Sequence, residues 1–249
     1  MDLLSLLVIF VVGIIGGSYG TLVGGTSIIT IPVLIFLGLP PHTAVGTDRL
    51  GVTGLASTGW YKFHEKGLID YRIALIMGIP ALIGSFLGAN LVLEIPMALL
   101  KKIIAVVTVV ILILVIAQPK LGVEKREHII KKHAYGTSIL ISLGIGIYGG
   151  FYGAMAATFL LYVLLFIFKR TFLESTATLK PSSFMMTTTA AAVFASKGAI
   201  NYPVAGAMFL GCAIGSYFGA HYSDRIGNVW IKRVFILIVL IMAIKLLIP

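Results

Sequence analysis

Three ionisable residues lie inside stretches of the chain that are otherwise apolar. Asp48 and Arg49 are neighbours within residues 44–61, and Lys180 lies within residues 176–195. If such stretches cross a membrane, a charge at the bilayer centre costs roughly 2.5–3.5 kcal/mol, so these residues usually face a cavity and serve a function. We therefore predict that Arg49 and Lys180 bind an anion, because a planar guanidinium group suits sulfonate, sulfite or carboxylate oxygens.

Asp48 is the candidate for a coupling residue in this hypothesis, as the carrier of a proton. Two other interpretations of the three charges stay open. In the first, Asp48 only neutralises Arg49 within the protein. In the second, both cations snorkel to the membrane surface, since each lies only about 9 Å from its loop at 1.5 Å per helical residue.

Glycine clusters with neighbouring hydroxyl residues form the second candidate feature, over Gly16–Gly25 and Gly149–Gly153. Helices that start at such breaks offer free N–H groups and a positive dipole end to an anion. Close helix packing is the alternative explanation for any single glycine. The predicted substrate-binding set combines these clusters with the cations and nearby hydroxyls, and it consists of Gly20, Thr21, Gly24, Gly25, Thr26, Thr47, Arg49, Gly150, Gly153, Lys180, Ser182 and Ser183.

Motifs for catalysis or metal binding are missing from the sequence. The five histidines lie at the ends of apolar runs or in loops, and none has metal-ligand spacing to another histidine, cysteine or carboxylate. Nucleophile-elbow, P-loop and zinc-protease motifs do not occur. We therefore expect no enzyme activity, no catalytic residue, no metal and no cofactor, and no direct use of ATP.

The composition excludes a soluble globular protein. Of the 249 residues 59% are hydrophobic and 11% are charged, against about 45–50% and about 25% in ordinary globular chains. So few charges cannot cover a soluble surface, which leaves lipid as the solvent. The net charge of +10 is interpreted as cytoplasmic loop charge, and we expect membrane lipid and a small anion as partners and no nucleic acid. A homodimer stays open.

Apolar runs follow one another along the chain and predict helices. A full membrane crossing needs about 20 helical residues. The first two runs of each half are shorter and meet at the glycine clusters, so we predict an all-α polytopic membrane protein with broken or re-entrant first helices and 8–10 membrane segments. The runs are 3–16, 22–37, 44–60, 73–93, 99–117, 135–150, 153–168, 176–196, 203–221 and 230–248.

An internal repeat divides the chain. Gly13–Gly20 matches Gly146–Gly153 at six of eight positions, and two later matches follow in the same order while the offset falls from 133 to 131. The later matches pair Gly67–Tyr71 with Gly198–Tyr202, and Ile83–Ala89 with Ile214–Ala220.

The repeat predicts three parts: an N-terminal transmembrane repeat (1–117), a cytoplasmic basic linker (118–134) and a C-terminal transmembrane repeat (135–249). Within the third run of each half, this alignment pairs Thr47 with Lys180 and pairs Arg49 with Ser182.

Basic residues alternate between equivalent loops, which predicts that the two repeats are inverted. Loop 38–43 has no Lys or Arg, whereas its counterpart in the second half begins with Lys169-Arg170. Loop 61–72 has Lys62, Lys66 and Arg72, whereas its counterpart has only Lys197. Five elements per half place both termini on the extracytoplasmic side of the plasma membrane. Eight simple crossings are the rival count, which splits the basic loops almost evenly between the two sides.

These residues carry a resemblance to a known family. The glycine-rich first element, Pro32, the segments Ala44–Thr47 and Gly67–Asp70, and the helix Ile83–Ala89 resemble the sulfite exporter TauE/SafE family, also called the toluene-sulfonate uptake permease family. The resemblance covers nearly the whole chain, including its duplication. It implies a multi-pass plasma-membrane carrier of sulfur-containing or other organic anions.

The sequence departs from that pattern in three places. The glycine run is short, at Gly24–Ser27, and its second copy is reduced to Ala154–Thr158. The second Ala-x-Gly-Thr segment is replaced by Ala177–Lys180. We therefore expect an asymmetric site in a secondary transporter that moves a small anion by alternating access, with an anion channel of the same architecture as the alternative.

Overall fold

The computed structural model describes residues 3–96, 98–100, 102–103 and 132–223. Those residues form eight α-helices and no strand, so the all-α prediction is confirmed. Most of the run 99–117, the linker up to residue 131 and the run 230–248 lie outside the described residues. The helices are α1 (Leu3–Val23), α2 (Thr26–Phe36), α3 (Pro41–Glu65), α4 (Tyr71–Glu94), α5 (Lys132–Phe151), α6 (Ala156–Phe166), α7 (Phe172–Ser196) and α8 (Tyr202–His221).

Each half begins with a long helix, a sharp break and a short helix of 11 residues. In the first half the break is Gly24-Gly25, where both residues have φ +83, a left-handed conformation that glycine adopts without strain. In the second half it contains Gly153 at φ +74 and Met155 at φ +64. The predicted breaks therefore exist, but α1 passes through Gly16 and Gly20 and is longer than the run 3–16.

Within the described ranges, four helices are long and apolar enough to cross a membrane: α1, α4, α5 and α8. Helices α3 and α7 carry the ionisable residues of the interior and have 25 residues each. They pack against each other at the centre, where α8 also contacts α3 and α4 also contacts α7. This arrangement puts polar side chains inside the protein and leaves the apolar faces of α4 and α8 exposed.

Helices of the first half pack along helices of the second half. Helix α1 of the first half packs along α8, and α5 of the second half packs along α4. Glycines bring the backbones together, because Gly84 and Gly88 face carbonyls of α5 while Gly215 and Gly219 face carbonyls of α1. Small residues at these positions let the backbones of transmembrane helices approach closely.

The order of contacts gives the direction of each helix. Phe10, Ile14 and Ser18 meet Gly211, Gly215 and Gly219 in that order, so α1 and α8 are parallel.

Helices α3 and α7 are antiparallel, since Gly46 lies by Phe194 whereas Gly59 lies by Lys180. Further contacts place α3 parallel to α8, and α4 parallel to both α5 and α7. Corresponding helices of the two halves thus run in opposite directions, as an inverted repeat requires. The inversion relative to a membrane stays a prediction.

Matched hydrogen bonds correct the alignment of the third helices. The Asn201 backbone N–H donates to Thr47 Oγ1 at 3.0 Å, and the Asp70 backbone N–H donates to Thr178 Oγ1 at 3.1 Å. Because Asp70 and Asn201 are equivalent in the repeat, Thr47 corresponds to Thr178, at an offset of 131.

The predicted pairs Thr47 with Lys180 and Arg49 with Ser182 are therefore wrong. At the corrected offset Arg49 corresponds to Lys180, and both are buried. The second half is two residues shorter than the first between the first and the fourth helix, which lowers the offset from 133 to 131. This shortening lies before the third helix, whereas the predicted pairs assumed that it lies after it. Each half thus supplies its cation from the same position.

Basic side chains gather at one end of the bundle. Arg170 forms an ion pair with Asp70, and Lys66 Nζ donates to Ser223 Oγ at 3.0 Å, so the basic loops 66–70 and 167–171 meet there beside the end of α8. The opposite end holds loop 37–40, without a Lys or Arg, and loop 197–201, which has only Lys197.

This charge asymmetry predicts that residues 40 and 66 lie on opposite sides of the membrane. Helix α3 joins them through 25 residues, or about 38 Å at 1.5 Å per residue. In a Cys212→Ala background, Lys66→Cys should react with an impermeant maleimide only from the cytoplasmic side and Pro40→Cys only from outside. The background protein is the unlabelled control. Reaction of both from one side contradicts the five-plus-five arrangement.

Candidate functional site

The two helix breaks meet inside the protein. A Cβ placed on Gly24 would lie 2.8 Å from the Thr158 backbone nitrogen, and one on Gly25 would lie 2.8 Å from Met155 Sδ. Helices α2 and α6 begin at this point, and neither N-terminus has a side-chain cap. Carbonyls of the breaks accept from some of the first N–H groups: Ile28 donates to Gly25 and Ala156 donates to Gly153, both at 3.1 Å. The remaining N–H groups of the two first turns have no intrahelical partner.

A small cavity lies between the breaks and the two central helices. Its volume of about 20 Å³ holds about one water molecule, so a sulfonate-sized ligand requires the lining to move apart. The lining residues come from both halves, and they are Gly20, Gly24, Gly25, Thr26, Ser27, Arg49, Val52, Leu55, Gly153, Ala157, Lys180, Ser183, Met186 and Thr187.

Asp48 and Arg49 form a fully buried ion pair beside this cavity. Arg49 Nη2 lies 2.5 Å from Asp48 Oδ2, and the two side chains are 1% and 0% exposed. Hydroxyl groups of α2 complete the carboxylate's hydrogen bonds: Ser27 Oγ donates to Oδ2 at 2.7 Å, and Thr30 Oγ1 donates to Oδ1. These bonds offset the large cost of desolvating a carboxylate.

Arg49 also bridges the two halves. Its Nη1 donates to the Gly149 carbonyl and its Nη2 donates to the Tyr152 carbonyl, both at 3.3 Å. These carbonyls end helix α5, whose last carbonyls have no intrahelical donor. Gly153 has no side chain at the position where the guanidinium group passes, and a Cβ there would collide with it. The second break is therefore shaped around Arg49.

Lys180 corresponds to Arg49 in the repeat but, unlike Arg49, has no ion-pair partner among the described residues. It is 1% exposed and lines the cavity, yet no described residue forms a hydrogen bond or ion pair with it. Its Cδ and Cε would each lie 3.3 Å from a Cβ on Gly59, so its stem runs along α3. A buried ammonium group without a counter-ion among the described residues is costly, and such intramembrane charges usually have a functional role.

The structure brings together eight of the predicted substrate-binding residues around the cavity: Gly20, Gly24, Gly25, Thr26, Arg49, Gly153, Lys180 and Ser183. The other four lie outside its lining and join helices instead. Thr21 donates to Ser216, Ser182 donates to the Ala74 carbonyl, Thr47 accepts from Asn201, and Gly150 packs on the Ser85 backbone.

Both alternative interpretations of the charges can be judged on this geometry. Asp48 does neutralise Arg49, as the first of them stated. Snorkelling is wrong within this structure, because Arg49 and Lys180 are both buried in the interior.

Sequence reasoning missed several residues of the site. Thr187 follows Lys180 by seven residues and Val52 follows Arg49 by three, so helical spacing from each cation would have found both. Thr30, which holds Asp48, and the carbonyls bound by Arg49 gave no comparable signal, because they depend on how the helices pack.

Comparisons with known proteins agree with these features. The family model "Sulfite exporter TauE/SafE" matches residues 9–246. A "Probable membrane transporter protein" of Haemophilus influenzae is 28% identical over 246 residues, which cover 99% of this chain and 95% of the relative.

Two further relatives are also described as probable membrane transporter proteins. YdhB of Bacillus subtilis is 26% identical, with 92% of this chain and 94% of the relative covered. YfcA of Escherichia coli K12 is 26% identical, with 96% and 88% covered. No solved structure matches.

The family match spans nearly the whole chain, and its members are membrane transporters, which also confirms that the chain is not an enzyme. With four apolar helices of membrane-spanning length and charged groups held inside the bundle, the chain is a membrane protein that belongs to the sulfite exporter TauE/SafE family.

Proposed function

We propose that this protein is a secondary transporter that carries a small anion, such as sulfite or an organosulfonate, across the plasma membrane. The observation that carries the proposal is the buried ammonium group of Lys180, which lines the cavity with no counter-ion among the described residues. An anion in the cavity would neutralise this charge, and the low dielectric of the interior makes that interaction strong.

The surrounding groups suit an oxyanion. The N-termini of α2 and α6 offer backbone N–H donors, and Ser183 adds a hydroxyl group. The hydroxyls of Thr26 and Thr187 donate to the Gly16 and Ser183 carbonyls, so they would reach a ligand only after rotating. Donors from several directions match the three oxygen atoms of a sulfite or sulfonate group. The apolar lining of Val52, Leu55 and Met186 would accept the organic part of a sulfonate.

Alternating access is proposed as the mechanism because the site lies where the two inverted repeats meet. The breaks touch at Gly24 and Thr158, and the cavity between them is too small for the substrate. Movement of the α1–α8 pair against the α4–α5 pair would enlarge it towards one side of the membrane at a time. In this scheme both termini are extracytoplasmic, and Asp48 is the candidate residue for proton coupling.

A channel with the same architecture is the second candidate, and counterflow distinguishes the two. In proteoliposomes loaded with unlabelled sulfite, a carrier should take up labelled sulfite faster than in empty vesicles, and its rate should saturate. Uptake that rises linearly with concentration and gains nothing from internal substrate would identify a channel.

We predict that bulky residues at the breaks abolish transport. The new side chain of Gly153→Leu would collide with the Arg49 guanidinium group, and that of Gly20→Leu would collide with the Thr26 side chain. Flux in proteoliposomes should fall below about a tenth of the wild-type rate, since misplacing a site by about 1 Å can cost a hundredfold.

The control for these variants is Gly206→Leu on α8, where a Cβ meets nothing within 4 Å. All three proteins should insert in the membrane at similar levels. Normal flux in both break variants would show that the glycines serve packing alone.

We further predict that the interior cations contribute more to anion binding than a cation at the basic end. Lys180→Gln should weaken sulfite binding about tenfold or more, because it removes the unpaired cation. Arg49→Gln should weaken it by a similar factor, because it leaves Asp48 charged and unpaired beside the cavity. Lys62→Gln, which breaks an exposed pair with Glu65, should change affinity less than about threefold. Calorimetry on the purified proteins measures this order, and equal small losses at all three positions would place the anion elsewhere.

A further inference from the structure

The interior charges near the cavity do not balance. Arg49 and Lys180 line the cavity, and Asp48 lies directly behind Arg49. All three side chains are at most 1% exposed. Among the described residues, these two cations and one carboxylate give the site a formal charge of +1 in their ionised forms.

Arg49 contributes little free charge to a ligand. One of its terminal nitrogens bonds Asp48, the Ser27 hydroxyl and the Tyr152 carbonyl, and the other bonds the Gly149 carbonyl. The carboxylate oxygen lies 2.5 Å from Arg49 Nη2, so the charge of the guanidinium group is already compensated. Arg49 therefore presents a neutralised pair, and Lys180 supplies the net charge.

The helix ends near the cavity do not alter this balance. Helices α2 and α6 begin at the breaks with partial positive charges, and α1 and α5 end at the same breaks with partial negative ones. Each helix end is equivalent to roughly half a charge, so the two kinds of end approximately cancel. The N–H groups still orient an oxyanion, while the formal charges decide how much negative charge it can carry.

The second half lacks a carboxylate at the corresponding position. At the offset of 131, Asp48 corresponds to Leu179, which is buried among apolar residues of α4 and α6. One cation of the matched pair is thus neutralised by its neighbour in sequence and the other is not. This asymmetry is the origin of the single net charge.

We propose that Asp48 is a specificity-determining residue, which makes the site select anions with one negative charge over anions with two. This inference rests on the proposed function of the site. A monoanion brings the site to neutrality, whereas a dianion leaves one negative charge buried at low dielectric, which is costly. Neutralising Asp48 would raise the site charge to +2 and remove that penalty.

Asp48→Asn is a conservative test, because the surrounding hydrogen bonds can adapt. The amide oxygen can accept from Arg49 and Ser27. The amide N–H can donate to Thr30 Oγ1, whose own proton has a second acceptor in the Thr26 carbonyl at 3.1 Å. The variant therefore removes a charge while the neighbouring groups keep partners.

Asp70→Asn is the matched control. Asp70 also forms an ion pair with an arginine, Arg170, but at the basic end of the bundle. It caps helix α4 through a bond from the Ile73 N–H at 3.1 Å, and Asn201 performs the same task for α8 with the Val204 N–H at 3.3 Å. The chain itself thus shows that asparagine is accepted there.

The probes are methanesulfonate and sulfate, which are tetrahedral at sulfur, similar in size and fixed at one and two negative charges near pH 7. Their dissociation constants are measured by calorimetry on the full chain in lipid nanodiscs. Wild type should bind methanesulfonate at least about tenfold tighter than sulfate, and Asp48→Asn should shift this ratio towards sulfate by about tenfold or more. Asp70→Asn should leave the ratio unchanged.

Comparing ratios removes the difference in hydration of the two anions, since it is the same for every variant. Sulfate binding as tight as methanesulfonate binding in wild type overturns the selectivity, even if Asp48→Asn does not fold. A folded Asp48→Asn protein with the wild-type ratio overturns it as well. Binding of neither anion overturns the proposed function together with this inference, so the two failures are distinguishable.

Discussion

Two helices that end inside a membrane protein leave backbone carbonyls that must find donors away from water. In this chain the end of α5 obtains them from Arg49, which belongs to the other half. Holding a guanidinium group at that depth in turn requires a carboxylate and hydroxyl groups, which Asp48, Ser27 and Thr30 provide. The absence of a side chain at Gly153 leaves the space for the contact. The rest of the site depends on this chain of requirements.

The two halves meet the same requirement differently. At the end of α1, the Gly20 carbonyl accepts from the Gly24 N–H, and the Leu22 carbonyl accepts from the Thr176 hydroxyl, both at 3.0 Å. Lys180, at the position that corresponds to Arg49, is therefore not needed to complete a helix end. A duplicated fold with two equivalent cation positions thus uses one of them to hold its structure and leaves the other available for a ligand.

Much of this arrangement could be predicted from sequence because it depends on composition and short-range order. The apolar runs indicated the helices, and the charges within them indicated an interior site. The glycine pairs indicated where helices approach each other. The exact break positions could not be predicted, since Gly16 and Gly20 permit a turn without requiring one, and packing of α1 on α8 keeps them helical. The Arg49–Lys180 correspondence required the cross-half hydrogen bonds of Thr47 and Thr178, which no local pattern shows.

The parallel packing of α1 on α8 and of α4 on α5 has a consequence for how the molecule moves and assembles. In each pair, glycines bring one backbone against the other, so these pairs resist separation more than the looser contacts around the breaks. The rigid bodies of the molecule are then mixtures of the two sequence halves rather than the halves themselves. Neither half would cover its glycine faces if synthesised alone. Each half therefore depends on the other half to complete its helix packing.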